Sequence, residues 1–173
     1  MTFQSSVELQ QGFGVIGELY SNSPVRSSTY VLDSGVDNII GRAFTLNTGA
    51  NEAGFTSSTA QMGGTGTYAG IFANPKAQAS FGVSGNTLAP TLIVADGEIG
   101  EMVTMGQIIV KLENTANIGD TVYFAEADGT LVSVAAGGSQ PANTQPAYAR
   151  VIGFTVGSDE LAVIEVTQTP EIA

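Results

Sequence analysis

Glycine and proline divide this chain so finely that long helices do not fit between them. The sequence has 22 glycines and 6 prolines in 173 residues, and the longest stretches free of both, 107–118 and 158–169, contain twelve residues each. A typical helix needs about 8–20 residues with an apolar stripe of period 3.6. The first stretch instead holds the β-branched cluster Ile108, Ile109 and Val110, and the second alternates with period two. These patterns predict an all-β protein.

Turn-forming residues bound a series of short predicted strands. Short strands at this spacing are typical of a compact antiparallel barrel or sandwich rather than of βαβ units. Residues 137–146, with two glycines and two prolines, are predicted to form a polar loop. The predicted strands are 15–20, 29–32, 39–46, 68–73, 92–95, 102–105, 107–112, 122–125, 148–156 and 160–167.

The strongest hairpin signal is the dipeptide Asp128-Gly129. A two-residue type I′ turn requires positive φ at both central positions, which this dipeptide tolerates. In the register that such a turn imposes, Tyr123 faces Val134 and Ala125 faces Val132. The hairpin would therefore carry one apolar face.

The length predicts one domain, residues 15–173, with an extended N-terminal arm at 1–14. The arm is polar, with isolated apolar residues that are too few to fold alone. Residues 49–67, rich in Gly, Ser, Thr and Ala, are predicted to form a long loop in which Phe55 and Met62 are the large apolar residues. We expect both segments to be ordered by packing on a partner.

The composition excludes several kinds of chemistry. Without cysteine or histidine the chain has no thiolate nucleophile, no ordinary zinc site and no serine activated by an imidazole. Its net charge of −11 repels phosphate backbones and anionic lipids, so neither nucleic acid nor membrane is an expected partner. The N-terminus has no basic region or apolar run, which predicts synthesis in a cytosol.

The remaining candidate sites are weak. The segment 64–69 matches a loose dinucleotide-binding pattern, but it lacks the preceding strand and following helix that the pattern needs. Two groups of acids could serve a glycosidase, yet turn chemistry and solvated faces explain them better. Calcium would require a denser alternation of acids. We therefore expect no catalytic, cofactor or metal site. The two groups of acids are Asp96, Glu98 and Glu101, and Asp120, Glu126 and Asp128.

Seven segments, in order along nearly the whole chain, resemble the structural cement, or head decoration, proteins of tailed bacteriophages. Segment 101–110 (Glu-Met-Val-Thr-Met-Gly-Gln-Ile-Ile-Val) is the most distinctive. The family has no catalytic motif to transfer. The seven segments are 13–18, 40–45, 69–76, 88–92, 101–110, 116–124 and 161–166.

The resemblance implies a non-enzymatic subunit on the capsid exterior, made in the bacterial host cytoplasm, that clamps neighbouring major capsid proteins. Shells offer local two-fold and three-fold positions, so copies of the chain are an expected partner, with a homotrimer favoured and a dimer as the alternative. Lone apolar side chains without an obvious core position are the expected partner contacts; they are Phe3, Val7, Leu9, Phe13, Val15 and Phe55.

The competing prediction is a carbohydrate-binding or carbohydrate-active β domain of the adhesin kind. It would need a concave acidic cleft with exposed tyrosines, such as Tyr20, Tyr30 or Tyr148. The partner residues have an alternative as well, because the same apolar side chains could cap the protein's own barrel.

Overall fold

The architecture is all-β, as predicted. The computed structural model describes residues 14–20, 24–50, 56–74, 93–154 and 161–167, and these ranges contain strands and no helix. The strands are β1 (Arg26–Leu32), β2 (Asn38–Ile39), β3 (Ala43–Ala50), β4 (Thr56–Met62), β5 (Thr67–Phe72), β6 (Ile93–Val94), β7 (Ile99–Lys111), β8 (Thr121–Ala125), β9 (Leu131–Val134), β10 (Thr144–Phe154) and β11 (Leu161–Thr167).

Five strands close into a first barrel. They follow the order β1-β4-β3-β5-β7, and a further pairing of β1 with β7 completes the ring. The β1–β4 pair is parallel, with Val31 beside Thr59 and Leu32 beside Ala60. The other pairs of named strands in the described ranges are antiparallel, including the short β2–β6 ladder.

The second barrel shares β7 with the first. From β7 the sheet continues through β11, β10, β8 and β9. A parallel bridge between Leu112 and Leu131 then returns the sheet to the end of β7, and the Glu113 amide donates to the Leu131 carbonyl at 2.9 Å. Each ring thus provides an interior into which alternate side chains point.

Side-chain alternation on β5 and β7 builds the wall between the two interiors. Phe72 pairs with Met102, and both belong to the core of the first barrel. The adjacent pair, Ile71 and Val103, belongs to the core of the second. Both faces of these strands are buried along much of their length, which explains why segments 68–73 and 102–110 are mainly apolar rather than alternating.

Several predicted strands have different bounds in the structure. Segment 15–20 contains a turn and one isolated bridge instead of a strand. Segment 39–46 is divided by a turn at Gly41, whose φ is +83°, into β2 and β3. Conversely, the predicted strands 102–105 and 107–112 merge into one strand, β7, which ends at Lys111, because pairing along both edges continues the strand through Gly106.

Two segments that were predicted as loops contain strands. Within 49–67, Thr56–Met62 forms β4, because β3 and β1 supply hydrogen-bonding partners on its two edges. Within 137–146, β10 already begins at Thr144, where it pairs with Ala125 of β8. The division into an arm at 1–14 and a domain at 15–173 stays a prediction.

The predicted hairpin exists, but with a longer turn. Ala125 donates its amide to the Thr130 carbonyl, so residues 126–129 form the turn rather than Asp128-Gly129 alone. Tyr123 therefore faces Val132, two residues from the predicted register. The more deeply buried face is also the opposite one, with Val122, Phe124 and Leu131 in the core of the second barrel.

Candidate interaction surfaces

Of the six predicted partner residues, Val15 lies within the described ranges. Val15 is 51% exposed and lies just after the start of the described chain. Phe3, Val7, Leu9, Phe13 and Phe55 lie outside the described residues. Their role stays a prediction.

Residues 14–20, which we call the arm root, are attached to the shared strand β7 by backbone hydrogen bonds. The Gly17 amide donates to the Ile109 carbonyl at 2.7 Å, and the Ile109 amide donates to the Glu18 carbonyl at 2.9 Å. The Tyr20 amide donates to the Gln107 carbonyl at 2.9 Å. The predicted arm therefore begins from a fixed position on the strand that joins the two barrels.

The arm root presents apolar side chains to solvent. Val15, Leu19 and Tyr20 are 51%, 39% and 47% exposed. The Glu18 amide donates to the Val15 carbonyl at 3.0 Å, and the Val15 amide donates to the Glu18 carboxylate at 3.2 Å, which holds the turn between them. A preordered segment loses little conformational entropy on binding, so these side chains suit a protein contact.

A second exposed apolar group lies at one end of the first barrel, in residues 31–37 and 93–99, which we call the tip. Val31 and Ile99 are direct cross-strand partners and are 44% and 56% exposed. Val36 and Ile93 are exposed in the same two segments. The sequence analysis did not predict this group, because Ile99 lay outside the predicted strands. The sequence signal that could have revealed the group is that each segment places apolar residues beside acids and turn-forming residues.

Hydrogen bonds hold the two segments of the tip together. The Asp96 carboxylate accepts from the amides of Ser34 (2.7 Å) and Gly35 (3.2 Å). The Leu32 amide donates to the Glu98 carbonyl, and the Gly97 amide donates to the Leu32 carbonyl, both at 2.8 Å. The tip is thus an ordered surface built from distant parts of the chain.

The turn at 126–129 joins the second barrel to the first. The Ala43 amide donates to the Gly129 carbonyl at 3.0 Å, and the Gly64 amide donates to the Glu126 carbonyl at 2.7 Å. An ion pair between Arg42 and Asp128 (2.8 Å) flanks this contact. We call the contact the junction; it fixes the barrels together at a second place besides β7.

The Asp128 carboxyl at the junction has a perturbed pKa. Burial acts to raise the pKa, but hydrogen bonds from the Thr130 hydroxyl and amide and the nearby Arg42 guanidinium outweigh burial. The net effect holds the pKa of Asp128 below its usual range.

Five of the six acids that the sequence offers as catalytic candidates have carboxylates that accept hydrogen bonds in the fold. Asp96 organises the tip, Asp128 takes part in the junction, and the Asp120 carboxylate accepts from the Asn117 amide at 2.8 Å. Glu126 accepts from the Gln145 side chain, and Glu101 accepts from the Ser27 hydroxyl. The described residues contain no group of three or more acidic side chains placed to hold a metal ion.

The three tyrosines of the carbohydrate prediction lie on different elements. Tyr20 is on the arm root, and Tyr30 on β1 is half-buried against the first core. Tyr148 on β10 contacts Tyr68, whose ring stacks on Phe124. Burial, and secondarily Tyr148, raise the pKa of the Tyr68 phenol far above its ordinary value. No helix in the described ranges is long and apolar enough to cross a bilayer.

The model of one protein family, "Structural cement protein (E217 gp24/Pam3 gp6)", matches residues 3–168. The chain belongs to this family of phage structural cement proteins. The resemblance seen in the sequence is thereby confirmed, and the family is one of capsid-associated structural proteins of the virion.

Two solved structures resemble the cement protein. A chain from the capsid of Myoviridae phage XM1 aligns with a TM-score of 0.62 and 16% identity, covering 97% of this chain and 99% of that chain. The head fiber gp8.5 N base of bacteriophage phi29 aligns with a TM-score of 0.45 and 11% identity, covering 83% of this chain and 95% of that one. The first likeness shows a shared fold. No curated protein matches the chain.

Proposed function

We propose that this cement protein binds the outer surface of a phage capsid and joins adjacent subunits of the major capsid protein, without catalysing a reaction. The observation that carries the proposal is the arm root, with its exposed apolar side chains and its attachment to β7. A contact that is fixed to the shared strand transmits load directly to both barrels. Two barrels joined by a shared strand therefore suit a protein that holds two adjacent capsid subunits together.

Mass action explains how such a clamp strengthens a shell. A protein that binds only the assembled capsid stabilises it by about 2.7 kcal/mol per site when its free concentration is a hundred times Kd. If the cement protein is a homotrimer, with a dimer as the alternative, several modest contacts act together at high effective concentration. The proposed oligomer therefore multiplies the effect of each arm root.

The charge of the chain supports a position outside the capsid. Sixteen acidic and five basic residues give a net charge of −11. Copies made in the host cytoplasm would stay soluble and would be repelled by DNA and anionic membranes. The proposed partners are therefore the major capsid protein and other copies of the chain.

Deletion of residues 2–12 tests the proposal. We expect the truncated protein to fold, because the named strands that build the two barrels in the described ranges begin at Arg26, but to lose co-sedimentation with undecorated heads. A second variant, Val15→Ser with Tyr20→Ser, should weaken head binding about tenfold or more, since it removes apolar contact area at the arm root.

The matched control is Ile118→Ser, because Ile118 is 67% exposed and lies in the loop before β8, away from the arm root. Head binding by this control should equal that of the wild type. Unchanged binding by the truncation would refute the role of the arm, and failure of the wild type to bind heads would refute the proposed function. No observation on the described residues favours the carbohydrate-binding alternative.

A further inference from the structure

We propose that the tip of the first barrel is a second capsid-contact surface, which binds an apolar patch of the capsid protein that is flanked by lysine or arginine side chains. This inference rests on the proposed function and adds to it the chemistry of the partner surface.

The tip contains several exposed apolar residues close together, rather than the single exposed apolar residue that is ordinary on a protein surface. Val31 and Ile99 are opposite residues of an antiparallel pair, so their Cβ atoms are about 5 Å apart. With Val36 and Ile93, the tip holds four of the ten exposed large hydrophobic residues in the described ranges. Single exposed apolar residues are ordinary, but a group of them marks a contact surface.

The charges around this centre define the partner. Residues 31–37 and 93–99 carry four carboxylates, Asp33, Asp37, Asp96 and Glu98, and no lysine or arginine. All four residues are exposed. A second copy of the tip would bring like charges together across the contact, which disfavours it. A partner with basic side chains around an apolar patch complements both the apolar centre of the tip and the carboxylates around it.

The tip is ordered before it binds. Buried Asn38 accepts a hydrogen bond from the Ser34 hydroxyl at 2.6 Å, and the Ser34 hydroxyl accepts one from the Met62 amide at 2.8 Å. Together with the contacts of Asp96, these bonds tie the loop at 33–37 to β2 and β4. Binding would therefore immobilise few additional groups.

The position of the tip also fits a bridging role. The tip includes Ile99 at the start of β7, and the arm root is bound at Ile109 near its end. Ten residues of strand span at most about 33 Å. Two contact surfaces near opposite ends of one shared strand would allow a single chain to touch two neighbouring capsid subunits.

Binding of the full-length protein to undecorated heads of its phage, measured at several salt concentrations, tests the inference. Val31→Thr with Ile99→Thr keeps β-branched side chains but removes apolar surface, and should weaken binding about tenfold at every salt concentration. Asp37→Asn with Glu98→Gln should slow association severalfold and flatten the salt dependence. The matched controls, Ile118→Thr and Glu113→Gln, lie away from the tip and should bind like the wild type.

The outcomes separate this inference from the proposed function. If the wild type does not bind heads, the proposed function fails. If the wild type binds and both tip variants bind equally well at every salt concentration, the tip inference is overturned while the proposed function stands. If the tip variants change the sedimentation of the isolated protein but not head binding, the occupant is a second copy and the inference is again overturned. Thermal unfolding of each variant checks that it is folded.

Discussion

The two barrels reach stability in different ways. Among the described residues, the core of the first has seven buried members, including Phe44 and Phe72, whose rings meet edge to face at 5.4 Å. Among the same residues, the core of the second has seventeen, mostly aliphatic. The first ring closes through paired strands, whereas the second closes through the bridge at Leu112 and Leu131. In the described ranges the first barrel thus combines a smaller buried core with a ring of paired strands, and the second combines a larger buried core with a ring closed by a single bridge.

This difference extends to the surface. The tip belongs to the first barrel, and the arm root runs along the β7 strand that both share. We infer that the first barrel places apolar residues on contact surfaces, while the second contains most of the buried core residues of the described ranges. The comparison predicts that the first barrel is the more sensitive to loss of a core side chain.

The largest expected effect comes from Phe72→Ala. We expect this change to lower the free energy of unfolding by about 3–5 kcal/mol, because it removes a fully buried ring and with it the edge-to-face partner of Phe44. The matched change Phe124→Ala in the second barrel should cost less within the same range. Urea unfolding of both variants measures the difference, and a larger loss for Phe124→Ala would contradict the comparison.

The junction should show the next largest effect. At Gly129, φ is +71° and an added Cβ would overlap the Ala43 carbonyl oxygen, so Gly129→Ala combines backbone strain with a clash and should cost about 2–4 kcal/mol. Gly137 has a similar φ of +79° with nothing within 4 Å of an added Cβ, so Gly137→Ala isolates the strain, at about 1–2 kcal/mol.

Thermal melting compares the two glycine variants, and hydrogen exchange at the Ala43 and Gly64 amides reports on the junction. Faster exchange at these amides in Gly129→Ala, but not in Gly137→Ala, is the expected result. Equal losses of stability would mean that the close approach of Gly129 to the Ala43 carbonyl adds no cost beyond the backbone strain that both variants share.

The smallest expected effect is that of the ion pair at the junction. Asp128→Asn should lower the free energy of unfolding by up to about 1 kcal/mol at pH 7, since the pair is partly exposed. Folding lowers the pKa of Asp128, so the contribution of its charge is complete above the unfolded-state pKa of about 4. The stabilisation that the Asp128 charge provides declines as the pH falls through the lower pKa that Asp128 has in the folded state.

Urea unfolding midpoints of the wild type and of Asp128→Asn at pH 7, 5 and 3 test this pH dependence. The difference between the two midpoints should persist at pH 5 and shrink by pH 3. Glu165→Gln removes the pair between Glu165 and Arg150, whose side chain is 64% exposed, and should cost less at pH 7. If the midpoint difference between the wild type and Asp128→Asn grows as the pH falls, folding does not lower the pKa of Asp128 and the prediction is wrong.

Some elements could be predicted because their own residues carry the signal. In β8, buried Val122 and Phe124 alternate with half-buried neighbours, as period two requires. In contrast, β4 has small polar residues without apolar alternation, and it is a strand because β3 and β1 pair with it. The tip escaped prediction for a related reason: Val31 and Ile99 become neighbours only through the β1–β7 register.

The amino-acid sequence by itself determined that the chain is all-β, because close spacing of glycine and proline and period-two patterning are local properties. It also determined the acidic charge and, through seven ordered segments, the family. Only the tertiary structure decided that β7 serves two barrels and that the tip and arm root lie along it. Strand pairing and register join residues far apart in the chain, such as Leu32 with Ala60 and Ile71 with Val103, and these partners cannot be read from either segment alone.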